Sequence, residues 1–75
     1  MGGKRKGITS SPLTARELEI LKWIKEGKTS WEIGKILGIS ERTVNYHVSD
    51  ITRKLNAMNR NHAVAIAVSH GLVEF

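Results

Sequence analysis

Arg42, Tyr46, Ser49 and Arg53 fall on one side of a helix when the chain is laid out at about 100° per residue, with Asn45 and Asp50 flanking them. Their guanidinium, phenol, hydroxyl and amide groups can donate to phosphates and to base edges in the major groove of DNA. A merely solvated face would be richer in lysine and glutamate at salt-bridge spacing. On the other side, Val44, Val48, Ile51 and Leu55 recur at steps of four, three and four, which makes a buried stripe. His47 lies at the border and reads as a structural histidine bonding backbone or phosphate.

A second helix and a tight turn are needed to hold such a face outward. Thr29 and Glu32 have the spacing of a capping box, and Ile33, Ile36 and Leu37 supply one apolar stripe. Gly38 is suited to stop this helix in the left-handed conformation, and Ser40 to cap the next. Only Gly38 and Ile39 separate the helix end from that cap, so the two helices must cross steeply. Gly34 sits mid-helix, at a cost of about 1 kcal/mol against alanine. Close approach of the second helix explains it. The pattern predicts a helix-turn-helix, the construction that places side chains in a major groove. A hairpin without a ligand is the plain alternative, against which capping, stop and small-residue signals agree.

Two further helices are expected. Thr14 and Glu17 repeat the capping box, with Pro12 before it, and Leu18, Leu21 and Ile24 point inward, widened by Ile20 and Trp23. Gly27 ends that helix. The last begins near Arg60 or Asn61, carries Ala63, Val64, Ala67 and Val68 with Ile66 to one side, and stops at Gly71. Some of these small apolar residues belong to the core; the remainder could form a symmetric dimer surface. No alternation supports a sheet. The expected fold is all-α: a compact four-helix domain over residues 13–75 containing the helix-turn-helix.

The 75 residues make one domain at most, and a fold of about 60 residues buries only about 60% of its unfolded surface. There is no cysteine, so neither a disulfide nor a thiolate zinc site is available. No apolar run approaches the roughly 20 residues of a membrane helix, and residues 1–11 have no signal-peptide core. The formal net charge is +5, yet Lys4, Arg5 and Lys6 carry three of the twelve basic residues. The remainder is only mildly basic. Residues 1–12 read as a flexible basic tail or linker, with an expression scar or a phosphate-contacting arm as the other readings. His62 and His70 lie eight residues apart without a ligand cluster, and Glu17 and Glu19 are not a catalytic pair. No metal, cofactor or catalytic residue is expected.

Leu13-Thr14-x-Arg16-Glu17, Gly27-Lys28-Thr29, Glu32-Ile33, Ile39-Ser40-x-x-Thr43-Val44, His47, Lys54-Leu55, Arg60, Ala63-Val64 and Gly71-Leu72 resemble the LuxR-type helix-turn-helix family across residues 13 to 73. Trp23, Gly27 to Thr29 and Thr43 to His47 are similar to its acyl-homoserine-lactone-responsive quorum-sensing branch. The resemblance implies DNA-binding transcriptional regulation in the bacterial cytoplasm, at the nucleoid, as a homodimer on an inverted repeat. Any small-molecule ligand would bind an upstream sensor domain. It also implies that Asn45, Tyr46 and Ser49 face base edges. Many members have lysine at the position of Asn45; asparagine favours adenine, lysine the guanine acceptors. Arg42, Thr43, Arg53 and Lys54 would anchor phosphates. The helix after Thr29 points free amides outward, a phosphate seat lined by Lys28, Thr29, Ser30 and Trp31. Trp31 could equally cover a neighbouring helix. The dimer surface would comprise Ala63, Val64, Ala67 and Val68. Two alternatives stay open: a sigma-factor-like segment whose partner is RNA polymerase, and a protein-binding helical module.

Overall fold

Each helix begins where a side chain takes up loose backbone amides. In the computed structural model, which describes residues 13–73, α1 spans Ala15–Lys25, α2 Ser30–Leu37, α3 Glu41–Lys54 and α4 Arg60–Ser69. The tail reading of residues 1–12, with Lys4, Arg5, Lys6 and Pro12, lies outside the described residues. Thr14 and Thr29 both close full capping boxes. Each threonine hydroxyl accepts from the amide of Glu17 or Glu32 at 3.1 Å, and each glutamate accepts the threonine amide at 2.8 Å. Ser40 caps α3 by accepting the Thr43 amide, and Asn59 caps α4 by accepting the His62 amide.

The stop between α2 and α3 is Gly38, at φ +74°, where a side chain would be strained. The stop after α3 has no glycine: Asn56 takes φ +57°, and the Ala57 amide returns to the Thr52 carbonyl at 2.9 Å. Asparagine is among the few other residues that accept this region.

Ile20, Leu21, Ile33, Val44 and Ile51 are the largest side chains shut off from solvent, so α1, α2 and α3 each contribute to one core. Ala63 and Ala67 bring α4 onto it, and Leu13 and Val73 close its ends. The most extensive packing joins α2 to α3. Gly34 makes it possible: a methyl group there would stand 2.6 Å from the Ile39 carbonyl oxygen. Close approach was the expected reason for this glycine, and the approaching group is the backbone of the turn.

One core expectation is corrected. Ile36 was placed on the inner stripe of α2 and is 45% exposed. The buried arc runs through Ser30, Ile33 and Gly34, with Leu37 half-buried. Its centre lies about 110° from Ile36 at helical spacing. Because the α3 cap closes over Gly34, the arc is rotated away from the isoleucine.

A long-range tie braces the fold. Lys54, the last residue of α3, reaches back to Glu17 in the first turn of α1, with Nζ at 3.0 and 3.1 Å from its two carboxylate oxygens. Burial raises the Glu17 pKa, but the Thr14 amide and the Lys54 ammonium outweigh it and hold the carboxyl below its ordinary range. Among the described residues no helix is long and apolar enough to cross a membrane.

Candidate nucleic-acid interface

The outer face of α3 stands free. Arg42, Asn45, Tyr46, Ser49 and Arg53 are all exposed, Tyr46 by 67%. The side chains of Arg42, Asn45 and Ser49 make no hydrogen bond among the described residues, so their donors and acceptors are available to a ligand. Arg53 is already engaged: its Nη2 lies 2.6 Å from Asp50 Oδ1. That bond lowers the Asp50 pKa and raises that of Arg53. An incoming phosphate must share Arg53 with Asp50 or displace it. His47 is half-buried beside Tyr46, their rings edge to face at 6.0 Å.

A second exposed surface lies at the start of α2. The capping box uses the amides of Thr29 and Glu32. Those of Ser30 and Trp31 have no partner among the described residues. The Thr29 amide, helped by its hydroxyl and by the charge of Lys28, keeps Glu32 ionised below its ordinary pKa against some desolvation. Trp31 is 57% exposed, and Lys35 Nζ sits 5.1 Å from the centre of its ring. More than half of the tryptophan surface is thus open to solvent.

Lys28, Thr29, Glu41 and Asn45 line a concavity between this turn and α3, and Arg60 and Asn61 at the start of α4 form its far wall. Nothing in the sequence pattern marks Arg60 or Asn61 for binding. No local spacing could bring position 60 beside position 30.

Four assigned positions are revised. Ser30 is 6% exposed and accepts a hydrogen bond from Arg60 Nη1 at 3.0 Å, so its side chain faces inward and only its amide faces the seat. Lys54 is paired with Glu17, so a phosphate would meet an ammonium already shared with that carboxylate. Ala63 and Ala67, expected at a dimer surface, are 1% and 0% exposed and belong to the core. Their methyl groups lie where α4 meets the bundle, because the helix turns its smallest residues toward the closest contact. Val64 and Val68 are half-buried and remain accessible. Thr43 is also half-buried, its hydroxyl accepting from Ser40 at 2.9 Å.

A short helix, a two-residue corner locked at Gly34 and Gly38, and a longer helix with an unengaged polar face define a helix-turn-helix domain. Residues 11–67 match the family described as bacterial regulatory proteins, luxR family. The transcriptional activator SolR of Ralstonia nicotianae is 55% identical over 65 residues, 87% of this chain and 28% of SolR. The quorum sensing-dependent transcriptional regulator RpaR of Rhodopseudomonas palustris is 53% identical over 68 residues, 91% of this chain and 28% of RpaR. A solved structure of the transcription factor GerE superposes with a TM-score of 0.83 at 32% identity, covering 87% of this chain and 97% of that one. The chain belongs to the LuxR family of bacterial regulators. It spans about a quarter of the length of the curated relatives it matches. Among the described residues no cluster of three or more His, Cys, Asp or Glu could hold a metal.

Proposed function

We propose that this domain binds double-stranded DNA in a sequence-specific way, with α3 in the major groove, and that it does so within a transcriptional regulator of the quorum-sensing type. The observation that carries this reading is the outer face of α3: five exposed polar side chains, most of them without a hydrogen-bond partner among the described residues, on a helix fixed at a rigid corner. Asn45, Tyr46 and Ser49 are the base readers. Arg42, Thr43 and Arg53, with Lys28, Thr29 and Trp31 and the Ser30 amide, hold the backbone. The protein works in the bacterial cytoplasm at the nucleoid.

The domain pairs with a second copy on an inverted repeat. Val64 and Val68 border a mainly apolar groove with Lys25, Asn61, Ala65 and Ser69, and this groove supports the α4 surface as the pairing face. Binding-site selection tests the whole reading. The wild type should enrich a two-fold symmetric duplex without RNA polymerase, and affinity should fall steeply with salt. Asn45→Ala should relax preference at one or two positions per half-site, by about 1–3 kcal/mol for a bidentate contact. Identical preferred sequences for the two proteins would remove Asn45 as a reader, and absence of enrichment by the wild type would sink the reading itself.

A further inference from the structure

We propose that Arg60, at the first turn of α4, is a DNA-backbone ligand that closes a three-walled phosphate seat with the Lys28–Thr29 turn and the start of α3. The proposal rests on the DNA-binding reading and extends it to an element outside the helix-turn-helix. Arg60 lines the concavity that also contains Lys28, Thr29 and Asn45. A phosphate lodged there would flank the base pair that Asn45 faces and fix its register.

Arg60 shares with Lys22, Lys28, Lys35 and Arg42 the lack of an ion pair among the described residues, and so differs from the paired cations. Arg16, Lys25, Arg53 and Lys54 each lie within ion-pair distance of a carboxylate. Arg60 has none among the described residues; its bond goes to the neutral hydroxyl of Ser30 at 3.0 Å. A guanidinium has five N–H donors. One is spent on Ser30, and four remain with the full positive charge. Ser30 is 6% exposed, and its hydrogen bond orients the arginine before any ligand arrives. A pre-oriented planar fork is the group best matched to a phosphodiester. A structural arginine that served only to bridge α2 and α4 would need no charge at that site.

Glu41 lies on the rim of the same concavity, and its carboxylate opposes an anion there. The seat is therefore built with one acid against two bases, Lys28 and Arg60. This makes opposite effects expected from two substitutions on facing walls.

The experiment measures duplex affinity against salt concentration for the 75-residue chain, using the selected site and an unrelated duplex, with thermal unfolding alongside. Arg60→Gln should weaken both duplexes by a similar factor, about tenfold, and reduce the salt slope by about one. Arg60→Lys should keep the slope and lose part of the affinity, because charge survives and the fork does not. Glu41→Gln should strengthen both complexes. Ser30→Ala, which frees the arginine without discharging it, should leave the slope unchanged. A folded Arg60→Gln protein with the wild-type slope would overturn the proposal, as would a loss confined to the selected site. If Arg60→Gln does not fold, an unaltered affinity in both Arg60→Lys and Glu41→Gln overturns it instead. If the wild type itself binds neither duplex, the DNA-binding reading fails and the role of Arg60 fails with it. Wild-type binding with an unmoved Arg60→Gln slope removes Arg60 alone.

Discussion

The outer faces of α3 and α4 are both open to solvent, yet they are made of opposite materials. On α3, Arg42, Asn45, Tyr46 and Ser49 are exposed and rich in hydrogen-bonding groups. On α4, Val64, Ala65 and Val68 offer an apolar groove with few polar atoms. A face of the first kind suits a hydrated, charged partner and responds to salt. A face of the second kind suits another apolar surface and responds to it weakly. One small fold thus keeps two contacts distinct by chemistry. Its corner and its brace keep both faces in place.

The largest way to break the contrast is to remove the corner. Gly34→Val would drive a branched side chain into the Ile39 carbonyl, a backbone atom that cannot swing aside. A loss of about 3 kcal/mol is expected, and both faces should fail together. Chemical denaturation would measure it; a wild-type midpoint would mean that close approach is not what holds the corner.

Next in size is the brace. Lys54→Ala should cost about 2 kcal/mol, less than a fully buried pair because the Lys54 side chain is 25% exposed. It should leave the salt slope of DNA binding alone. Arg53→Ala, one residue earlier, should do the reverse: little change in stability and a slope smaller by about one. If Lys54→Ala behaves like Arg53→Ala, the brace is a phosphate contact after all.

Acid offers a gentler version. The Glu17 carboxyl is held below its ordinary pKa, so its contribution is complete above the unfolded value of about 4.3 and fades as pH falls through the lower folded value. Stability should therefore decline on acidification below about pH 4. Glu17→Gln should start lower and show a shallower decline. A decline as steep as in the wild type would assign the acid response to other carboxylates, such as Glu32 and Asp50, whose pKa values are lowered too.

The smallest effect sharpens the α4 side. Val68→Lys should lower the cooperativity of two-to-one binding by about 1 kcal/mol and leave single-copy affinity and stability nearly unchanged. Titration of half-site and full-site duplexes reads this directly. Unchanged cooperativity would take Val68 out of the pairing surface.

Local features were the legible ones. Thr14, Thr29 and Ser40 announce helix starts because a capping side chain needs only its own next three residues. Gly38 and the two faces of α3 were readable for the same reason: turn conformation and helical period are written within a few positions. The family was legible because its marks are spaced along nearly the whole chain, and the match over residues 11–67 agrees. What escaped depends on distant partners. Lys54 looks like any exposed cation until Glu17, 37 positions away, is beside it. Ser30 looks like a free N-terminal hydroxyl until Arg60 arrives from 30 positions away. Ile36 was misread because the rotation of α2 is set by what closes over Gly34, and periodicity reports a stripe without its exact bearing. Asn56 ends α3 with no glycine to mark the spot.

The contact of Gly34 with the Ile39 carbonyl is a fit between uncharged backbones. Dissolved ions have almost no purchase on it, whereas every phosphate contact proposed for α3 and Arg60 is weakened by them. The angle at which α3 is offered should thus persist under ionic conditions that empty it of DNA. Such a domain lets go without loosening and takes hold again without rebuilding, which suits a part that must sample many stretches of duplex before it stays on one.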